Sequence, residues 1–439
     1  MEPETDKRLV AWVRQAAPYI HAFRGKTFVV AFGGGVLQEG NAQALIHDIA
    51  LLDAMGIHLV LVHGARPQID EEMTARGLSP RFHNGLRITD AATLECVKRT
   101  MGRMRIEIEA LLSQGLPNTP MAGAFLRVTG GNFITARPVG IVDGVDLQHT
   151  GAVRHVIAEE ICADLAQENV VLITPIGVSP SGEIFNLAWE DVAEAVAVAI
   201  RADKLVFLCD APGITNKQGE LLDALTADEG ESLLSKKVKQ CPDILRVLPG
   251  ALRACRSGVG RVHFLDRKQD GAMLMEFFTR EGVGTVMTST PLARLREASI
   301  ADVASILALI APLAADGTLV KRDRERIEAE IAHFSVLEHD GIIIGCAALH
   351  PYSGEKAGEL ACLAVIPEYR RAGYGDQLRR HIETQARKMK FKQLFALTTR
   401  AAHWFVERGF VETEVASLPA AKRELYNFQR RSKVLVKGL

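Results

Sequence analysis

The chain has 439 residues, 48% of them hydrophobic, and its 52 Lys plus Arg balance 53 Asp plus Glu to a net charge of −1. That apolar fraction fills ordinary globular cores and excludes wholesale disorder, and the length corresponds to two or three domains. Balanced charge leaves no electrostatic footprint for nucleic acid or an anionic membrane, so neither is expected as a partner. No apolar run approaches the roughly 18 residues needed to span a bilayer, and the start MEPETDKRLV lacks the apolar core of a signal peptide. The seven cysteines (96, 162, 209, 241, 255, 346 and 362) are odd in number and show no Cys-x-x-Cys spacing. They read as reduced thiols in a cytoplasmic protein, and no metal site is readable.

From the N-terminus, short β-rich runs alternate with amphipathic stretches. Thr27–Phe32, His58–His63, Asn169–Ile173, Lys204–Leu208 and Arg261–Leu265 are predicted strands, and Asn41–Met55 and Trp189–Arg201 predicted helices. Such alternation predicts an α/β fold: an open, mostly parallel sheet sandwiched by helices. Glycine-rich turns follow the first two strands, at Gly33-Gly34-Gly35 and His63-Gly64-Ala65-Arg66-Pro67. In such sheets ligands gather at the carboxyl ends of strands. The pattern changes near Met287. We expect one domain over residues 1–287, a linker over 288–295 containing Thr288-Ser289-Thr290-Pro291, and a second, α+β domain over 296–439. In the latter, a helix over Ala298–Leu309 and a basic helix start at Lys321 precede strands at Phe334–His339, Ile342–Leu349 and Glu359–Val365. Asp340-Gly341 marks a hairpin between the first two. A helix from Tyr374, a strand at Gln393–Thr399, a short helix around His403–Arg408 and a last strand at Lys433–Val436 complete the chain.

The sharpest motif is Val365-Ile366-Pro367-Glu368-Tyr369-Arg370-Arg371-Ala372-Gly373-Tyr374-Gly375, where a strand ends and a helix opens. Glycines let backbone N–H groups approach an anion, and a helix N-terminus adds positive potential, so the segment reads as a pyrophosphate cradle. The alternative is a glycine-rich turn without a ligand. The segment resembles the acetyl-CoA loop of GNAT-type acetyltransferases. Residues 296–439 resemble that family throughout, from Arg296-Glu297-Ala298 with Asp302 to Arg408-Gly409-Phe410. The resemblance implies that Arg370, Arg371, Gly373, Tyr374 and Gly375 bind acetyl-CoA, and that strand Glu359–Val365 splays from strand Gln393–Thr399. Cys362, Leu363, Ala364 and Val365 at the splay would then hold the pantetheine arm and the thioester oxygen. Many members carry a Tyr five residues before the Phe of the Gly-Phe pair. Here that position is Phe405, so the leaving thiolate is protonated by another group or by water, or departs unaided.

Five stretches of the first part resemble amino-acid kinases, over about residues 8–287: Arg24-Gly25-Lys26-Thr27, Leu61-Val62-His63-Gly64, Gly85-Leu86-Arg87-Ile88-Thr89-Asp90, Pro175-Ile176-Gly177 and Asp210-Ala211-Pro212-Gly213-Ile214. Phosphoryl transfer needs cations on the moving group. The Lys that the family places before its Gly-Gly is Ala31, a second Lys is absent from Leu245-Arg246-Val247-Leu248-Pro249, and the family's Asn-x-Asn-Ala-Asp reads Asn186-Leu187-Ala188-Trp189-Glu190. Kinase activity is therefore expected to be lost. A silent kinase-like domain joined to a GNAT domain resembles the N-acetylglutamate synthase family of the bacterial, arginine-inhibited type. That resemblance implies acetyl transfer from acetyl-CoA to L-glutamate, the first step of arginine biosynthesis, with L-arginine as feedback inhibitor. The rival readings are a bifunctional synthase/kinase and a non-catalytic arginine sensor. Arginine-sensitive relatives bind their effector with a Tyr on an N-terminal helix and a His and a Glu thirteen residues apart near Gly-x-Gly-Thr. The match here implies an allosteric site at Tyr19, His263, Glu276, Gly282, Gly284 and Thr285, and an acidic Glu suits the five donors of a guanidinium. The Tyr-bearing helix implies a homo-oligomer, such as a hexamer.

An amine attacking a thioester must shed a proton, and a carboxylate near the splay is the natural base. The resemblance assigns that base to Glu359, which otherwise reads as a solvated Glu at a strand start. Thr398, near the end of the facing strand, is placed to hold a water or donate to the thiolate. Two substrate carboxylates call for cations. The resemblance points to Arg322 and Arg430, with Ser432. Without it, the runs Lys321–Arg324 and Arg430–Lys433 read as solvated basic faces. Acetyl-CoA is a co-substrate, and no permanently bound cofactor is expected.

Overall fold

The computed structural model describes residues 3–38, 42–114, 126–279, 282–339, 341–367, 369 and 373–439, with side chains from residue 10 onward save that of Gln38. The chain divides into two compact units, Met1–Pro291 and Leu292–Leu439. Among the described residues, no helix is long and apolar enough to cross a membrane.

In the first unit, runs of β-branched and aromatic residues build an eight-stranded sheet. Its strands are β1 (Thr27–Phe32), β2 (His58–His63), β3 (Val128–Thr129), β4 (Val170–Ile173), β5 (Lys204–Cys209), β6 (Ala224–Thr226), β7 (Arg261–Asp266) and β8 (Thr285–Thr288). They lie in the order β6-β8-β7-β5-β1-β2-β4-β3. All neighbours are parallel except β7 with β8. Successive strand residues point to opposite faces. Val29, Ala31, Val60, Val62, Leu205 and Phe207 accordingly enter one core, with Val192, Ala193, Val196 and Ala197 of helix Trp189–Ala199. Phe28, Val30, Leu59, Leu61, Val206 and Leu208 enter the other, with Leu45, Ile46, Ile49 and Leu52 of helix Ala42–Ala54. Burial on both faces explains why these strands read as unbroken apolar runs. The unit also carries a four-stranded sheet of Ile134–Pro138, Gly151–Val156, Ile176–Val178 and Ile184–Asn186 that the sequence pattern does not reveal.

The second unit is one seven-stranded sheet: β9 (Ala293–Glu297), β10 (Phe334–His339), β11 (Ile342–Tyr352), β12 (Ala357–Val365), β13 (Gln393–Thr398), β14 (Val411–Thr413) and β15 (Lys433–Gly438). The order is β9-β10-β11-β12-β13-β15-β14, antiparallel everywhere except between β12 and β13. Leu378, Ile382 and Ala386 of helix Tyr374–Lys388 cover one face, and Val303, Ile306 and Ile310 of helix Val303–Ala315 the other. Ala293–Leu295, expected in the linker, belong to β9, where Leu295 pairs with Leu337. The Arg296 guanidinium secures that strand by donating to Asp302 and Glu338. The helix expected from Ala298 instead opens with a 3₁₀ turn at Ile300–Asp302, capped by Ser299. The strand expected from Glu359 starts two residues earlier, at Ala357. Of the hairpin pair, Asp340 lies outside the described residues, and Gly341 has φ +75°.

Candidate active site

The parallel ladder between β12 and β13 covers only Ala357–Glu359 against Gln393–Phe395. Beyond Glu359 the two strands part. Two irregularities bend β12 there: its register against β11 shifts between Cys346 and Ala348, and Cys362 has φ +51°, a left-handed conformation costly for any residue but glycine. At the parting lies a cavity of about 740 Å³. Its wall comprises Glu359–Cys362 of β12, Leu397 of β13, residues 317–320, Arg322, Arg326, and side chains from the segment between Lys422 and Ser432.

Glu359 is only 5% exposed. Its Oε1 lies 2.7 Å from the Lys422 Nζ, and its Oε2 accepts from the Tyr352 hydroxyl at 3.4 Å. Burial, then the Glu359 charge, pushes that phenol up to about 12. On the neighbouring strand β11, His350 stands opposite Glu359. Burial, then the Arg322 guanidinium, holds His350 down to about 4. The neutral ring accepts from Arg322 Nη1 at 3.2 Å, while Nη1 also donates to Glu330 at 2.9 Å. Arg430 Nη2 donates to the carbonyls of Gly317 (3.1 Å) and Thr318 (2.7 Å). Ser432 is buried, and its carbonyl accepts from the Tyr426 hydroxyl at 2.6 Å. The Cys362 thiol is pushed up to about 11 by burial and so stays protonated and poorly nucleophilic.

One cavity wall thus unites Glu359, Cys362, Arg322, Arg430 and Ser432. Thr398 is not part of it. Its hydroxyl oxygen accepts from the N–H groups of Arg400 (3.3 Å) and Ala401 (2.9 Å), turning the chain from β13 into helix Ala402–Val406. The Phe405 ring is packed between Trp404 and Phe410, with centroids 5.0 and 5.1 Å away, a core position with no use for a hydroxyl. Farther along β12, Ala364 and Val365 are buried on opposite sides of the sheet, with Leu363 packed beside Val365. Gly373 (φ +77°) caps helix Tyr374–Lys388. Gly375 lies against Trp404: a Cβ there would meet the indole at 3.6 Å. Arg370 and Arg371 lie outside the described residues. Lys422 carries no sequence signal, because its five-residue helix Ala420–Glu424 bears no motif.

In the first unit, His263 of β7 and Glu276 of helix Ala272–Phe278 meet at 2.7 Å, from Nδ1 to Oε1. Burial, reinforced by the Lys204 charge, holds His263 down to about 4. The neutral ring therefore donates from Nδ1 to Glu276 and accepts at Nε2 from Lys204 Nζ, 3.3 Å away. Burial opposes charge on Glu276, but the hydrogen bond from His263 and the N–H groups of Val283 and Gly284 outweigh it and set its carboxyl at about 2. Those two N–H groups reach Oε2 at 2.9 and 3.1 Å. The wrap needs glycine: a Cβ at Gly282 (φ +64°) would lie 2.6 Å from Oε2, and one at Gly284 only 2.3 Å from the Phe264 carbonyl. Thr285 Oγ1 accepts from the Ile214 N–H at 2.8 Å. Tyr19, half-buried on helix Pro3–Phe23, has its ring 6.2 Å from that of Phe23. Lys204, which carries no sequence signal beyond a strand start, has its Nζ 4.8, 5.5 and 5.4 Å from the rings of Phe23, Phe28 and Phe277. Burial, then Arg261, brings it down to about 7. At the strand ends of the same unit, the Trp189 ring lies on Gly64, where a Cβ would meet it at 2.7 Å.

A mostly parallel kinase-type sheet and a sheet splayed in the acetyltransferase manner define a two-module protein. Residues 26–266 match the Amino acid kinase family and residues 303–410 the Acetyltransferase (GNAT) family. The chain is 51% identical over 433 residues to the amino-acid acetyltransferase of Ralstonia nicotianae, covering 99% of this chain and 96% of the relative. It is 50% identical over 430 residues to that of Azotobacter vinelandii, covering 98% and 99%. Among solved structures it is similar to N-acetylglutamate synthase from Neisseria gonorrhoeae complexed with coenzyme A and L-arginine: TM-score 0.87, 38% identity, 98% of this chain and 99% of that one. The complex of that synthase with coenzyme A and N-acetyl-glutamate matches over the same shares at TM-score 0.63 and 39% identity. The chain belongs to the amino-acid acetyltransferase family and is an acyltransferase enzyme. The two-module fold class expected from the sequence holds.

Proposed function

We propose that the enzyme transfers the acetyl group of acetyl-CoA to the α-amine of L-glutamate, yielding N-acetyl-L-glutamate and CoA, as the first step of arginine biosynthesis. The observation that carries this reading is the placement of Glu359, a buried carboxylate where β12 and β13 part, on a cavity wall that also bears Arg322, Arg326, Lys422 and Arg430. Glu359 takes a proton from the acceptor's ammonium group. The freed nitrogen attacks the thioester carbonyl, the C–S bond breaks, and the thiolate takes the second proton released by nitrogen. Glu359 returns its proton to water, so one CoA thiol and one proton leave for each amide formed. Gly373, Tyr374 and Gly375 receive the CoA pyrophosphate at the helix start, in keeping with the coenzyme A held by the Neisseria gonorrhoeae relative. Arg322, Arg430 and Ser432 bind the acceptor on its carboxylate side.

L-Arginine binds the first unit at Tyr19, His263, Glu276 and the Gly282–Thr285 loop and inhibits the second. The N-terminal helix joins copies of the chain into a ring-like homo-oligomer. The test is CoA release from acetyl-CoA with each proteinogenic amino acid in turn. L-Glutamate should dominate, and another preferred acceptor, or release that needs no amino acid, would overturn the proposal.

A further inference from the structure

The cations around the 740 Å³ cavity are not equally engaged. Arg322 and Arg326 both pair with Glu330, at 2.9 and 3.1 Å, and Arg430 is held by two backbone carbonyls. Among the described residues, the Lys422 ammonium has one partner, the carboxylate of Glu359, 2.7 Å away. Both side chains line the cavity, and their side chains are only 19% and 7% exposed. An acceptor ammonium approaching Glu359 therefore meets another ammonium already in place, and two like charges at contact distance in a half-buried site repel.

An α-amino acid removes that conflict by its own chemistry. Its carboxylate is one carbon away from the carbon-bound nitrogen, near enough to draw the Lys422 Nζ while the ammonium turns to Glu359. Lysine suits the exchange: it is a compact charge with three donors on a flexible stem. We propose that Lys422 is a specificity-determining residue that covers Glu359 while no acceptor is bound and moves to the acceptor's α-carboxylate when one arrives. An amine without an α-carboxylate leaves Glu359 covered. Arg322 and Arg430 are then left to the distal carboxylate. This inference rests on Glu359 being the base.

The experiment uses the full-length protein with L-glutamate and with 4-aminobutyrate, which keeps the amine and the distal carboxylate and lacks the α-carboxylate. Lys422→Met should lower kcat/KM for L-glutamate about ten- to a hundredfold while that for 4-aminobutyrate stays within about twofold or rises. Lys422→Arg should restore most of the preference. Calorimetric affinities of the CoA-loaded protein for the two acceptors should narrow in the same way, which keeps the test open where turnover of 4-aminobutyrate is too slow to read. An equal fall for both acceptors, or unchanged discrimination, would overturn the proposal. Near-normal turnover in Glu359→Gln would instead remove the base, and it is separable because the calorimetric comparison involves no proton transfer.

Discussion

Glu359 is met by Lys422 on one oxygen and by the Tyr352 hydroxyl on the other. Glu359→Gln preserves shape and removes the proton acceptor. Turnover should fall by roughly two to four orders of magnitude, the usual weight of a general base, while calorimetric affinity for acetyl-CoA hardly changes. Arg430 poses a different question, because its guanidinium also ties down Gly317 and Thr318. Arg430→Ala should raise the glutamate KM about ten- to a hundredfold and leave the acetyl-CoA KM in place. An equal rise in both constants would mean that Arg430 only braces the 317–318 turn.

Strands whose two faces are both buried announce themselves, and β1, β2, β5, β7 and β10 lie within one residue of where apolar runs place them. What stayed hidden has physical reasons. In the four-stranded sheet of the first unit two strands have only three residues, and the longer Ile134–Pro138 and Gly151–Val156 mix buried with exposed positions and show no unbroken apolar run. β9 is obscured because Ala293–Leu295 follow a turn-rich, proline-containing segment and carry Arg294, so they read as linker, while Arg296, at the expected opening of the second domain, is held by Asp302 and Glu338. At the site, Glu359 and the basic runs were visible as residue types in a motif context. Lys422 and Lys204 were not, because each acquires its meaning only from a partner far away in sequence. Helix Ala42–Ala54 holds a further example. Its Asp48, 8% exposed, faces a cavity of about 280 Å³. Burial, then the charge of Asp270, raises its carboxyl from the ordinary 3.8 to about 7. With the folded value above the unfolded one, this group's stabilising contribution is complete below about pH 4 and lost as pH rises through 7. Asp48→Asn, which never ionises, should therefore gain on the parent over that window, by up to about 4 kcal/mol. Thermal melts of both proteins at pH 5 and pH 8 would read this, and a pH-independent difference would contradict it.

Chemistry is proposed for one unit and effector binding for the other, so an inhibitor acts only by favouring one state of the whole chain over another. Glu276→Gln keeps the side chain's size and gives up the charge that suits a guanidinium. It should relieve inhibition by L-arginine and leave uninhibited turnover nearly intact, as dose–response curves would show. Removal of the residues before Arg24 should both blunt that inhibition and shrink the assembly seen by light scattering. Undiminished sensitivity in Glu276→Gln would remove the proposed site. The three tryptophans carry a practical consequence. Trp12 is exposed on the N-terminal helix, Trp189 lies in the first unit on Gly64, and Trp404 lies in the second against Gly375, with the Arg408 guanidinium 4.1 Å above its ring. Indole emission follows local polarity and charge, so each unit contains its own fluorophore. In a Trp12→Phe, Trp189→Phe background, titration with CoA should change the emission of Trp404 alone, giving an optical measure of donor occupancy without an added dye and without turnover.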